Sequence, residues 1–179
     1  MRICVFCGSS SGKQPIYAET AVSVGKLLAE NNIGLVYGGG RVGIMGFIAE
    51  SVMTAGGEVI GVIPEVLADK ELAHQEISEL HIVGSMHERK AKMAELADGF
   101  VALPGGIGTL EELFEIWTWA QLGIHNKPVG VLNVAGYYQS LRDLVLHMIE
   151  EQFVRDPYLP TLRCAESGEA LLAQFEAYE

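Results

Sequence analysis

Basic residues are scarce in this chain: 12 Lys and Arg stand against 23 Asp and Glu, giving a formal net charge of -11 and a pI near 4.9. Such a field repels a polyphosphate backbone at long range, so nucleic-acid polymers are not expected partners. Long apolar runs are missing too. No stretch reaches the ~20 uninterrupted apolar residues that cross a bilayer, and no membrane association is expected. Cysteine is limited to an odd count of three, and the opening Met1-Arg2-Ile3-Cys4-Val5-Phe6-Cys7 lacks a basic segment followed by a long apolar one. That pattern argues against export and for a reduced, cytoplasmic protein. The five histidines show no HExxH or related spacing, and no Ser or Cys occupies a GxSxG elbow. Neither a bound metal nor an acyl-transfer nucleophile is expected.

What is present reads as one globular α/β domain spanning residues 1–179, 49% hydrophobic and rich in glycine. A chain of this length buries roughly 70% of the surface its unfolded form exposes, without help from disulfides. Short, continuously apolar runs at 3–6, 34–37, 59–63, 80–83, 100–103 and 129–134 read as strands covered on both faces. Between them, Tyr17, Ala21, Val24 and Leu28, then Ile44, Ile48, Val52 and Ala55, then Leu141, Leu144, Val145 and Met148 recur at helical spacing, and a short helix is predicted near 171–178. The alternation predicts a Rossmann-like, doubly wound parallel sheet whose ligands bind at the carboxyl ends of the strands.

The loops after those strands therefore carry the functional argument. Cys4 and Cys7 spell CxxC, but in a strand residues three apart face opposite ways, which makes them core thiols and not a redox pair. The loop Gly8-Ser9-Ser10-Ser11-Gly12-Lys13-Gln14 falls one residue short of a P-loop and has Gln where Ser or Thr would hold magnesium. Ser9 and its neighbours can still offer hydroxyls and N–H groups to a ligand, or form a plain solvated turn. Gly38-Gly39-Gly40-Arg41-Val42-Gly43 satisfies GxGxxG without a well-placed acidic residue downstream. Gly39 and Gly40 fit either close backbone approach to a nucleotide-like ligand or tight strand-helix packing.

Two segments are more specific. In Pro104-Gly105-Gly106-Ile107-Gly108-Thr109-Leu110-Glu111-Glu112, three glycines in four positions leave main-chain N–H groups uncovered at a helix start, a cradle for phosphate. Thr109-x-x-Glu112 is alternatively a capping box. Helical geometry places Glu112 on a face with Ile116 and Trp119, and puts Glu111 and Glu115 on the polar side, with Glu111 close enough to the cradle for a binding role. In Ser85-Met86-His87-Glu88-Arg89-Lys90-Ala91-Lys92-Met93, Arg89 falls inside the apolar stripe of Met86, Met93 and Leu96. It fits a structural salt bridge or, beside a phosphate cradle, an anion or carboxylate partner. Lys92 fits a solvated face, and Lys90 is open to the same reading. Trp117 and Trp119 point about 160° apart on one helix, which suggests cover from a second copy of the chain in a homodimer.

The segment from Pro104 to Glu112 resembles the PGGxGTxxE signature of the LOG (Lonely Guy) family of phosphoribohydrolases, which release cytokinin bases from their riboside 5′-monophosphates. Met86-His87-Glu88-Arg89-Lys90-Ala91 resembles that family's second motif and Gly38-Gly39-Gly40 its glycine-rich loop, and the similarity runs over residues 3–154. Relatives also hydrolyse AMP, and some have carried a lysine decarboxylase label. The resemblance implies that Arg89 and Glu112 form the catalytic pair, that Gly105, Gly106, Gly108 and Thr109 hold the 5′-phosphate of a nucleoside 5′-monophosphate, and that Lys90 and Glu71 contact substrate. Two rivals remain: a non-catalytic nucleotide-binding module and a pyridoxal phosphate decarboxylase using Lys90. The second lacks an evident pyridinium partner, and no cofactor is expected.

Overall fold

A computed structural model describes residues 1–68, 72–154 and 161–178, so the expected contact from Glu71 lies outside the described residues. Among the described residues there are seven strands: β1 (Arg2–Phe6), β2 (Gly34–Tyr37), β3 (Val59–Pro64), β4 (Glu79–Val83), β5 (Gly99–Ala102), β6 (Val129–Leu132) and β7 (Leu162–Ala165). They form one sheet in the order β4-β3-β2-β1-β5-β6-β7, with every neighbouring pair parallel. Strands step outward from β1 to β4, and the chain then returns so that β5 pairs with the other edge of β1. Ligands of open α/β sheets bind at such a reversal, here at the carboxyl ends of β1 and β5.

The helices are α1 (Pro15–Glu30), α2 (Gly43–Thr54), the single turn α3 (Glu65–Ala68), α4 (Met86–Leu96), α5 (Ile107–Gln121), α6 (Gln139–Glu150) and α7 (Gly168–Glu176). Strand side chains alternate between two apolar cores, as a period of two demands. Ile3, Val5 and Cys7 pack with Val24 and Leu28 of α1, Ile48 and Val52 of α2 and Phe175 of α7. Cys4 and Phe6 enter the opposite core with Met93 of α4, Ile116 and Trp117 of α5 and Val145 of α6. Cys4 and Cys7 are thus in separate cores, and neither is in a disulfide. Burial, followed by the charge of Glu112, pushes the Cys4 thiol well above its ordinary pKa.

Every expected strand forms, with ends shifted by no more than two residues, and the last helix begins at Gly168. β7 and α3 were not anticipated. The homodimer argument from the two tryptophans does not hold as stated. Trp117 is 4% exposed and donates its indole N–H to Thr161 Oγ1 at 2.9 Å, while Trp119 packs partly against the same core. The chain itself buries Trp117 and covers Trp119 in part. Among the described residues, no helix is long and apolar enough to cross a membrane.

Candidate active site

Two loops meet where the strand order reverses. The Gly8 N–H donates to the Pro104 carbonyl at 3.2 Å, joining the loop after β1 to the loop after β5. Gly105 permits this approach, because a Cβ there would lie 2.1 Å from Thr109 Oγ1 and 2.8 Å from the Gly8 nitrogen. Helix α5 then starts at Ile107 with Gly106 as its N-cap, and no side chain caps it. The first intrahelical bond runs from Leu110 N–H to the Gly106 carbonyl, so the preceding amides have no partner within the helix. An uncapped helix start carries the positive end of the macrodipole and suits an anion.

The capping-box reading of Thr109 and Glu112 is overturned by this geometry. A boxed N-cap lies outside the helix, whereas Thr109 is the third residue inside it. The related arrangement belongs to α4: Ser85 Oγ accepts from the Glu88 N–H at 3.1 Å, and Glu88 Oε2 accepts from the Gly84 N–H at 2.9 Å. That cap fixes the first turn of α4, one residue before Arg89.

Arg89 is 5% exposed. Its Nε donates to the Val62 carbonyl of β3 at 3.1 Å, and its Nη2 donates to the Gly38 carbonyl just beyond β2, also at 3.1 Å. Its Nη1 lies 3.8 Å from Glu112 Oε1, and Glu112 is itself buried on α5. The pair therefore bridges the two halves of the sheet. Gly38 leaves room for it, since a Cβ there would meet Arg89 Nη2 at 2.2 Å. Two carbonyls plus one carboxylate orient the guanidinium plane, and the guanidinium in turn orients Glu112.

Lys90 departs from the solvated face allowed for it. It is 7% exposed, with Nζ 2.5 Å from Glu111 Oε1 and 2.9 Å from Glu115 Oε2. Glu111 and Glu115, expected on the polar side, are thus tied to α4. Burial opposes the Lys90 charge, but the hydrogen bonds and charges of Glu111 and Glu115 outweigh it and raise the pKa. A Schiff-base lysine must present a neutral amine, so Lys90 does not fit the role a pyridoxal phosphate decarboxylase would require. Among the described residues, no group of three or more His, Cys, Asp or Glu side chains is placed to hold a metal.

A cleft of about 340 Å³ opens over these groups, within the range of small-molecule sites. Of the residues singled out from the sequence, Ser9, Arg89, Gly106, Gly108, Thr109, Glu111 and Glu112 line it. Gly105 lines an adjoining depression, and Lys90 stands behind Glu111. Gly39 and Gly40 do not line the cleft. The Gly39 carbonyl accepts from the His74 N–H at 2.8 Å, and Gly40 forms an isolated antiparallel bridge with Ala73. Gly43 and Gly46 serve packing, because a Cβ on either would strike backbone within 2.3 Å. The cleft's apolar wall includes Met86 of the α4 stripe together with Met45 and Leu67, which sequence patterning did not single out.

Residues 45–175 match the family described as "Possible lysine decarboxylase". LOG7 of Arabidopsis thaliana, named a cytokinin riboside 5′-monophosphate phosphoribohydrolase, is 52% identical over 178 residues, spanning 99% of this chain and 82% of its own length. LOG3 of the same plant, named for the same activity, is 49% identical over 177 residues, spanning 99% and 82%. Among solved structures, a Moco carrier protein from Chlamydomonas reinhardtii aligns with a TM-score of 0.73 at 20% identity, covering 99% of this chain and 96% of that one. The molybdenum cofactor binding protein of Rippkaea orientalis gives 0.72 at 21% identity, covering 98% and 95%. At those identities the structures establish the fold alone. Identity near one half across almost the full chain, together with two motifs that meet in one cleft, shows more: the chain belongs to the LOG family of phosphoribohydrolases.

Proposed function

We propose that this protein hydrolyses the N-glycosidic bond of nucleoside 5′-monophosphates, among them cytokinin riboside 5′-monophosphates and AMP, giving free base and ribose 5-phosphate. The observation that carries this reading is the meeting, in one cleft, of an uncapped helix start with a buried Arg89–Glu112 pair. The helix start takes the 5′-phosphate through the amides of Gly106, Gly108 and Thr109. The ribose then lies over Glu112. Cleavage develops positive charge at the ribose C1′ as its bond to the base nitrogen breaks, and a preorganised carboxylate stabilises that charge. Water adds to C1′, and its displaced proton accompanies the departing base. Arg89 holds Glu112 in place while its own carbonyl contacts keep it from moving.

The phosphate is the handle, so its removal is expected to cost at least about tenfold in kcat/KM, the scale of losing charge-assisted hydrogen bonds. Incubating the protein with AMP or with adenosine and measuring free adenine by chromatography checks this. Equal kcat/KM for the two would contradict the phosphate-cradle reading.

We also propose a cytoplasmic homodimer. Three cysteines, none of them in a disulfide, support a reducing compartment. The exposed apolar side chains Leu122 and Ile124, just beyond α5, support a partner surface. Light scattering is expected to give twice the 19.4 kDa mass of one chain, and the single-chain mass at micromolar concentration would contradict the dimer.

A further inference from the structure

The backbone of the cradle is held from behind by two neighbouring tyrosines that the reaction as described does not use. Residues 103–106 form the loop between β5 and α5. Their carbonyls are gripped one after another. The Tyr138 hydroxyl donates to the Leu103 carbonyl at 2.6 Å, the Gly8 N–H to that of Pro104 at 3.2 Å, and the Tyr137 hydroxyl to that of Gly105. The Tyr137 contact matters most, because the Gly105–Gly106 peptide joins two residues without side chains and can rotate at little steric cost. A trans peptide points its C=O and N–H in opposite directions, and no cis peptide is present among the described residues. Fixing the Gly105 carbonyl therefore also fixes the direction of the Gly106 N–H.

Tyr137 is itself delivered by an unusual turn. Ala135 and Gly136 both have left-handed backbone, with φ of 49° and 74°. Left-handed Ala is uncommon and persists only where surrounding structure over-determines it. The Tyr137 ring then packs edge-on against Tyr17 at 5.7 Å and Tyr138 at 5.1 Å, so the hydroxyl has a rigid mount. The ring lines the adjoining depression and not the cleft.

We propose that Tyr137 is a positioning residue for phosphate recognition: by holding the Gly105 carbonyl it aims the Gly106 N–H at the 5′-phosphate. The inference rests on the phosphate-cradle reading of this loop. Tyr137→Phe removes the hydroxyl and keeps the ring. Its affinity for inorganic phosphate and for ribose 5-phosphate, measured by calorimetry, is expected to weaken about tenfold, the scale of one hydrogen bond. KM for AMP should rise in parallel while kcat stays within about twofold, the split expected when binding alone is lost. Tyr138→Phe, which frees the carbonyl before Pro104 and no glycine peptide, should lower Tm and leave phosphate affinity unchanged. Unchanged phosphate affinity in Tyr137→Phe overturns the proposal, as does an equal loss in Tyr138→Phe or a fall in kcat without weaker phosphate binding.

A measurement on the unaltered protein guards against variants that fold poorly. The Gly106 amide NMR resonance is expected to shift on titration with inorganic phosphate. A protein that hydrolyses AMP but shows no such shift overturns the role of the Gly106 amide and with it the Tyr137 assignment, and leaves the hydrolase reading standing. A shift without hydrolysis of either AMP or isopentenyladenosine 5′-monophosphate supports the assignment of the loop and overturns the hydrolase reading instead.

Discussion

Replacing Glu112 by Gln is expected to leave the fold and Tm essentially intact and to slow kcat by about 10²-fold or more, as when one preorganised electrostatic group is lost from a transition state. Gln has the same shape, so the buried position beside Ile116 and Leu113 stays filled. The substitution cannot act through a helix cap, because α5 begins at Ile107 and Thr109 is already inside it. What changes is the charge 3.8 Å from the Arg89 guanidinium and facing the proposed ribose position. Glu111→Gln is the comparison. It weakens one of the two carboxylates on Lys90 and leaves Glu115 at 2.9 Å, so a milder effect is expected. Measuring kcat and Tm for both separates the roles, and a normally folded, fully active Glu112→Gln protein would contradict the catalytic assignment.

The second large effect is expected at Arg89. Arg89→Ala removes a guanidinium that serves the Val62 and Gly38 carbonyls and stands beside Glu112. Leaving buried acceptors without their donor costs about 1–3 kcal/mol, so Tm should fall moderately. The kinetic loss should be larger: kcat down about 10²-fold, from the freed Glu112 carboxylate and the lost positive charge. Gly38→Ala tests the same point without touching the arginine. A Cβ at that position would lie 2.2 Å from Nη2, so the guanidinium must move away from its carbonyls. An intermediate fall in kcat, of roughly tenfold, is expected for this indirect displacement. Wild-type kcat in both variants would show that Arg89 has no part in turnover.

The sheet was legible because its inner strands are uninterrupted apolar runs, such as Leu35-Val36-Tyr37 and Val59 to Ile63, which only a sheet covered on both faces accommodates. β7 lacks that signature for the complementary reason. It is an edge strand, its Leu162-Arg163-Cys164 portion is half-buried, and it carries a charged residue where an inner strand would not. The cradle was legible in its glycines, yet Thr109-x-x-Glu112 and Ser85-x-x-Glu88 carry the same capping pattern. What separates them is that Gly106 takes the N-cap place and lets α5 start early, while Ser85 has no such competitor. Periodicity recognised that Arg89 was inside a stripe. It could not assign Lys90, whose burial depends on Glu111 and Glu115 arriving from α5. The grip of Tyr137 on Gly105 joins residues 32 apart through a left-handed turn, and no local pattern encodes such a contact.

The most direct test is product analysis with the purified protein, offered AMP and isopentenyladenosine 5′-monophosphate side by side with the Glu112→Gln variant. The unaltered protein is expected to release free base and ribose 5-phosphate in equal amounts from at least one of the two, and the variant about 10²-fold more slowly. Nucleotide recovered intact from both substrates, or base released equally fast by the variant, would contradict the account.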